Sequence, residues 1–325
     1  MTQNYLPNIS VVTPTFQRPT EVAALIENLA AQEMFPFELI IIDGSEPGDQ
    51  RTEATVNALP AGLPFRVIYV RKTGGTAIQR NAGIEIAKGE LIAFIDDDVV
   101  LEPNFFRVMA ETFRNDVSGD VGGVVGYRTN HYFPAESSER WRWYKRLKLL
   151  TVYEPGRYDF KSGYPINNNM QAPFTGTREV DFMTTACAVW RREVIDSGIR
   201  FHSFFTDYGV LEDAHFSLMA GKKWRLLQSG DAKCRELNSP NGRVGARKIG
   251  YKSVVNYYFV FNEVAGPLRP SNKFRFWRFQ AFEFLRVAAS LFRHRRSADL
   301  QQLLGRAAAM FAILTGRAFM LQQSR

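Results

Sequence analysis

Three carboxylates in a row, Asp96-Asp97-Asp98, follow five apolar residues, Leu91-Ile92-Ala93-Phe94-Ile95. So short an apolar run, set between Gly89 and a group of acids, reads as a strand buried on both faces of a parallel sheet. Acids seldom stay buried unpaired, because taking a charge out of water is costly. The strand must therefore deliver them to an edge of the sheet, where water, a cation or donor groups can meet them. Ligands of open α/β sheets bind beyond the carboxyl ends of the strands. Adjacent carboxylates there suit a hard divalent cation that also holds phosphates. The plain alternative is a solvated acidic turn leading into the helix that starts near Pro103.

Other residues point to the same chemistry. Glu38-Leu39-Ile40-Ile41-Ile42 is a second buried strand that ends in an acid, Asp43, followed by Gly44-Ser45. A third run, Phe65 to Val70, leads into Thr73-Gly74-Gly75-Thr76 and then a helix from about Ala77 to Ala87 carrying Arg80. An acid at a strand end can bind ribose or base donors. A cation near a helix start can meet phosphate, aided by the free N–H groups of the first turn. Singly, Asp43 could only open a turn and Arg80 could only be a surface charge. A dinucleotide fingerprint does not follow the first strand, and no phosphate-cradling GxxxxGK[ST] motif occurs, which counts against both of those nucleotide folds.

The elements that position these residues come in a regular order. Ile9 to Thr13 is a β-rich run stopped by Pro14, and a helix after Thr20 carries Val22, Leu25, Ile26 and Leu29. Strand and helix then alternate up to the Leu91 strand, as in an α/β fold with a mostly parallel sheet flanked by helices. The 325 residues are 45% hydrophobic, ample for a core and contrary to disorder. Two cysteines, Cys187 and Cys234, set up neither a disulfide framework nor a metal spacing. No secretory signal is read in Met1 to Asn8, and no apolar run is long enough to span a bilayer. The net charge is +8, yet residues 269–325 hold 11 basic and 2 acidic side chains. The basicity therefore belongs to the tail and not to the body.

Four stretches together resemble the family 2 glycosyltransferases of the GT-A fold. They are Val12-Thr13-Pro14-Thr15-Phe16-Gln17-Arg18-Pro19, Ile41-Ile42-Asp43-Gly44-Ser45, Gln79-Arg80-Asn81-Ala82-Gly83 and Phe94-Ile95-Asp96-Asp97-Asp98. Each motif is weak alone; their order and spacing carry the resemblance, which is close over roughly the first 125 residues. It implies a Rossmann-like sheet and a nucleotide-diphosphate sugar as donor. Pro14, Thr15, Asp43 and Arg80 would line the nucleotide site, with Asp96 and Asp97 at the ribose or sugar. Asp98 would ligate Mg2+ or Mn2+ on the diphosphate.

In the second half, Tyr127 to Arg178 has little periodicity and holds Trp141-Arg142-Trp143-Tyr144-Lys145-Arg146-Leu147-Lys148. Those alternating aromatics and cations could face a nucleic acid, a sugar or a membrane, or form a half-buried helix. Asp181 to Arg192 resembles the family's acceptor-side strand, and Leu211-Glu212-Asp213-Ala214 its acid pair at a helix start. Asp213 matches the general base, which would accept the proton of the attacking hydroxyl. Glu212 and Arg243 are further candidates, for the acceptor or for a loop over the diphosphate. Where many relatives carry a histidine after the Trp224 to Leu227 run, this chain has Cys234 to Pro240, with Glu236 the nearest stand-in. The Gln-x-x-Arg-Trp motif of the processive synthases does not occur.

The expected organisation is a GT-A domain over 1–265, with a nucleotide-sugar half (1–127) and an acceptor half (128–265), and then a basic, aromatic helical extension over 266–325. Within the extension, residues 273–296 interleave Phe and Trp with Arg, which suits a helix lying on an anionic membrane; packing on the catalytic domain or on a second subunit is the alternative. The expected activity is that of a metal-dependent, inverting glycosyltransferase of hexosyltransferase type, acting on a saccharide or lipid-linked hydroxyl in cell-surface glycan or glycolipid synthesis. Such an enzyme would be cytoplasmic and peripheral on the inner face of the cell membrane, without nucleic acid, and could form a homo-oligomer. Two rivals stand beside it. One is a catalytically inactive scaffold that binds a membrane or nucleic acid. The other is a sugar nucleotidyltransferase, which would be expected to carry a Gly-rich loop after the first strand, where this chain has Thr15-Phe16-Gln17-Arg18-Pro19.

Overall fold

The computed structural model describes residues 5–207, 209–239 and 244–320. In chain order the elements are β1 (Ile9–Thr15), α1 (Pro19–Ala30), β2 (Glu38–Asp43), α2 (Arg51–Asn57), β3 (Arg66–Arg71), α3 (Thr76–Ile86), β4 (Leu91–Ile95), β5 (Val99–Leu101), α4 (Phe105–Arg114), β6 (Val121–Arg128), α5 (Glu139–Arg146), β7 (Tyr158–Asp159) and β8 (Tyr164–Pro165). They continue with β9 (Thr177–Val180), β10 (Cys187–Arg191), α6 (Arg192–Asp196), α7 (Glu212–Ala220), β11 (Arg225–Glu236), α8 (Ala246–Ala265), α9 (Pro270–His294) and α10 (Ser297–Leu314). They fall into two compact units, one of Met1–Phe133 with Asn168–Gly242, the other of Pro134–Asn167 with Arg243–Arg325.

The first unit is built on a sheet that, among the described residues, has nine strands, ordered β3-β2-β1-β4-β10-β6-β11-β5 with β9 also on β11. The four strands β3, β2, β1 and β4 run parallel. β1, β2 and β4 are buried along their whole length, as their unbroken apolar runs require. β3 lies at the edge, begins and ends in arginine, and is only partly covered. β10 enters antiparallel between β4 and β6. The sequence does not announce β5: it follows the three acids directly and pairs antiparallel with the end of β11, setting Glu236 opposite Val99. β11 is also far longer than the Trp224 to Leu227 run suggests, reaching Glu236.

Strand order reverses at β1, which has β2 on one side and β4 on the other. That switch point is where an open α/β sheet leaves a crevice for ligands. α1 covers the sheet with Val22, Leu25, Ile26 and Leu29, all buried, at about 1.5–3 kcal/mol for each fully buried side chain of this size. α3 starts after Gly75, whose φ of 98° suits glycine and whose Cα lies so close to the Asp207 backbone that a Cβ would collide with it.

The second unit is helical. α8 meets α10 where Gly305 abuts the Arg247 carbonyl too closely for any side chain. Trp141 and Tyr144 of α5 are buried while Trp143 is exposed, which makes this helix the half-buried form of the aromatic and basic cluster. α9 buries Phe276, Phe279, Gln280, Glu283 and Val287 on one face. Glu283 is held there by Arg140 at 3.0 Å, Arg286 at 3.0 Å and the Tyr144 hydroxyl at 2.7 Å. Among the described residues no helix is long and apolar enough to cross a membrane.

Candidate active site

The carboxyl ends of β1, β2 and β4 gather most of the residues singled out above. β1 and β2 are in register with Pro14 opposite Ile42 and Thr15 opposite Asp43. The Thr15 hydroxyl donates to Asp97 Oδ2 at 2.7 Å, and Arg18 donates to Asp97 Oδ1 at 2.6 Å. Asp97 therefore turns inward and ties the loop after β1 to the end of β4. Burial pushes its carboxyl up to about 6 even with Arg18 opposing the shift. Asp98 lies more openly. It accepts the Ser239 N–H at 3.0 Å and stands 3.6 Å from Arg18. Its carboxyl is raised by burial and then by the charge of Asp96.

Asp43 is fully covered. Its two oxygens accept the Ser45 N–H and the Tyr69 hydroxyl, both at 2.8 Å. Burial, then the bond to Asp43, pushes the Tyr69 phenol upward. Gln79 of α3 donates to the Thr15 carbonyl at 2.9 Å and to the Ile42 carbonyl at 2.6 Å, fixing α3 against both strand ends.

Arg80 joins the two sides of the site. Its guanidinium, 3% exposed, donates to Asp96 Oδ1 at 2.9 Å and to Glu212 Oε1 at 3.0 Å. The Thr76 hydroxyl also reaches Glu212, at 3.1 Å, and the Phe201 ring lies beneath the guanidinium at 5.6 Å. Burial works against this cation, but Asp96 and Glu212 outweigh it and keep it charged. Its Nε is buried and meets no acceptor among the described residues. An Arg bound to carboxylates on two elements is a planar spacer that a lysine could not replace.

Asp213 follows Glu212 in the first turn of α7, and its Oδ1 accepts the Ala214 N–H at 2.7 Å. Burial and then the Glu212 charge push its carboxyl up to about 7. The turn before it is left-handed at Leu211, φ 70°, an uncommon conformation for a residue with a branched side chain. Gln17, Asp207 and Asn238, in loops of the same unit, share that conformation. Such backbone clusters at functional sites because surrounding structure must hold it in place.

Arg18, Thr76, Gln79 and Tyr69 contribute to the site without standing out individually in the sequence. Arg18 was the most findable, being the cation of the loop after β1, which adjoins the acid-tipped β4. A histidine also enters this unit from an unexpected place. His131 Nε2 lies 3.8 Å from Glu236, which is itself paired with Arg128 at 2.6 Å. Glu212 is committed to Arg80 and Thr76. Arg243 lies outside the described residues.

The family model described as Glycosyl transferase family 2 matches residues 10–198, more than half of the chain and every residue of the β1, β2, α3 and β4 constellation. The chain belongs to this family. Among its curated relatives is the uncharacterized glycosyltransferase YwdF of Bacillus subtilis (strain 168), 34% identical over 103 residues, 32% of this chain and 37% of that protein. Another is the dodecaprenyl-phosphate galacturonate synthase of Rhizobium johnstonii, 32% identical over 130 residues, 38% of this chain and 36% of that protein. The matched segment thus spans little more than a third of the length of these relatives. The fold of this family 2 member is that of the GT-A glycosyltransferases. A solved structure of the mannosyltransferase PcManGT from Pyrobaculum calidifontis, in complex with GDP-Man and Mn2+, aligns with 99% of this chain and 80% of its own, at a TM-score of 0.54 and 18% identity.

Proposed function

We propose that this family 2 protein is an inverting glycosyltransferase of hexosyltransferase type, moving a sugar from a nucleotide-diphosphate donor to a hydroxyl acceptor. The supporting observation is the Arg80 bridge, which ties Asp96 at the donor-side strand end to Glu212, the neighbour of Asp213. Asp213 is the general base. A carboxyl pushed up to about 7 is matched to removing a hydroxyl proton near neutral pH. As the acceptor oxygen attacks the anomeric carbon, its proton passes to Asp213 and the bond from that carbon to the diphosphate oxygen breaks. A single displacement from the opposite face inverts the configuration.

Pro14 and Thr15 line the nucleotide site. Asp43 shapes it through Tyr69 and the turn to Ser45, and Arg80 through its hold on Asp96. Asp96 meets the ribose or sugar. Asp97 acts by fixing Thr15 and Arg18, and Glu212 by fixing Arg80. The donor side fits a divalent cation, Mg2+ or Mn2+. Asp98 is a carboxylate crowded by Asp96 and Glu236, with its charge disfavoured by burial. No set of three His, Cys, Asp or Glu side chains able to hold an ion occurs among the described residues. Asp98 would therefore share the ion with the donor's own phosphates, the arrangement Mg2+ favours. When bound, the cation would neutralise charge on the departing diphosphate.

The acceptor is proposed to be a saccharide or lipid-linked hydroxyl in cell-surface glycan or glycolipid synthesis, met at the inner face of the cell membrane. Another relative is the glucosyl-dolichyl phosphate glucuronosyltransferase of Haloferax volcanii, a name that sets a lipid-carried sugar as acceptor and so favours a lipid-linked hydroxyl. The test is nucleotide release from UDP-, GDP- and dTDP-sugars with candidate lipid acceptors, with Mn2+, Mg2+ or chelator. Turnover of one donor, lost with chelator and in Asp98→Ala, with a product of inverted anomeric configuration, is expected. A product of retained configuration would contradict the single displacement.

A further inference from the structure

The helices of the second unit turn an apolar line outward as well as inward. On α9, Phe274, Ala281, Leu285, Ala289 and Phe292 are all exposed, Phe292 at 84% and Phe274 and Leu285 at about two thirds. At about 100° per residue they fall within roughly 60° of one line along the helix. The buried residues Phe276, Phe279, Glu283 and Val287 lie on the opposite side. α10 repeats the pattern. Leu300, Leu304, Ala307, Phe311 and Leu314 are exposed along one line, while Gly305 and Ala309 are buried on the other. Scattered exposed apolar residues are ordinary; two aligned rows the length of their helices are not.

Charge says what covers them. Arg293, His294, Arg295 and Arg296, at the junction of α9 and α10, are all exposed. The two acids of these helices are both engaged: Glu283 is buried among arginines, and Asp299 accepts from the Ser290 hydroxyl at 2.8 Å. The same surface continues onto α5. Arg278, half-buried within the span of the α9 row, donates to the Lys148 carbonyl, and the Phe282 ring meets Tyr144 at 5.8 Å. There Arg142, Lys145, Arg146 and Lys148 surround exposed Trp143 and Leu147, with Arg146 stacked on Trp143 at 5.1 Å. Exposed Glu139 opens that helix, and Glu136 just before it stands 3.8 Å from Lys145, offsetting one of these cations.

We propose that α9, α10 and the end of α5 form a face that docks on an anionic lipid bilayer, with the apolar rows entering the headgroup boundary and the arginines meeting lipid phosphates. An apolar row beside cations and almost free of acids is the pattern of interfacial helices. A second copy of this chain would bring the same cations face to face, which disfavours it. The proposal rests on the preceding reading only for where the protein works; lipid binding needs neither donor nor metal, so its failure would leave the catalytic reading standing.

The test is cosedimentation of the full chain with neutral phosphatidylcholine vesicles and with vesicles holding a third of phosphatidylglycerol. Three proteins are compared: wild type, Phe274→Ser/Leu285→Ser/Phe292→Ser, and Arg293→Glu/Arg295→Glu/Arg296→Glu. All replaced side chains are exposed, and circular dichroism checks the fold. Wild type should favour the anionic vesicles and release at high salt. The arginine variant should lose about a hundredfold in affinity or more, each arginine near an anionic surface being worth about fivefold. The apolar variant should bind weakly at any salt. Equal partitioning of all three would overturn the proposal. So would a concentration-dependent dimer that the apolar variant abolishes, since the rows would then belong to a contact between copies.

Discussion

Each unit of the protein builds a cluster of arginine and carboxylate around one buried member, with opposite surplus. In the sheet unit one guanidinium, Arg80, serves Asp96 and Glu212, with Asp213 beside them. In the helical unit one carboxylate, Glu283, serves Arg140 and Arg286, with Arg306 3.8 Å away. In the first, burial and then the Glu212 charge disfavour ionising Asp213, which on the proposed reading readies it to take a proton. Positive surplus in the second overrides burial and lowers the Glu283 carboxyl, leaving a group locked in its charged form. On the proposed reading, the same residue types thus yield a reactive carboxyl in one place and a structural one in the other. Burial opposes ionisation at both: the arginines around Glu283 outweigh it, whereas at Asp213 the Glu212 charge adds to it.

The two carboxyls should differ most in catalysis. Asp213→Asn should cut sugar transfer by about 10²–10⁴-fold, the usual worth of a general base, while donor binding by calorimetry stays intact. Glu283→Gln should leave the pH dependence of transfer untouched and lose about 3–5 kcal/mol of unfolding free energy in urea, because three arginines would face a neutral partner. Arg80→Gln should lose a similar amount of stability. It should also move the acid limb of the rate profile upward, since Asp213 would sit beside two uncompensated carboxylates; an unmoved limb would separate Arg80 from the base.

The two carboxyls also respond oppositely to pH. Asp213 has a native pKa above its unfolded value near 3.8. Between that value and about 7 the native state binds the extra proton, so stability falls as pH rises through this window. Asp213→Asn should therefore melt higher than wild type at pH 8, by on the order of 1–2 kcal/mol after allowing for its partial exposure to solvent, and the gap should close by pH 4. Glu283 has the reverse sign. Its contribution is present above its unfolded value near 4.5 and is lost as pH falls below it, so Glu283→Gln and wild type should converge in acid. Tyr69→Phe is the smallest change, about 1 kcal/mol for one hydrogen bond to buried Asp43, read from thermal melts.

What could be read from the sequence was whatever one short segment determines. Apolar runs ending in Asp43 and Asp96 marked strand ends, and the order of strand and helix gave the mostly parallel half of the sheet. The bond from Arg18 to Asp97 was hidden because it spans 79 residues and depends on β1 and β4 being neighbours. The Arg80 bridge was hidden because Glu212 arrives from 132 residues away. The three-residue β5 has no period of its own and exists through its pairing with β11. In the tail, aromatic and basic composition was plain, but composition does not say that Phe276 and Phe279 turn inward while Phe274 and Phe292 turn out.

As proposed, Asp213 takes the acceptor's proton, its carboxyl raised by burial and then by the charge of Glu212, which Arg80 holds in place. The most direct test of that proton transfer is kcat/KM for transfer from pH 5 to 9, measured for wild type and Asp213→Asn once a donor and acceptor pair is in hand. The expected result is a wild-type rate that falls tenfold per pH unit below about 7, and a variant that is slower throughout with that limb absent. A wild-type rate flat across the range, or a variant that keeps both the rate and the limb, would contradict it.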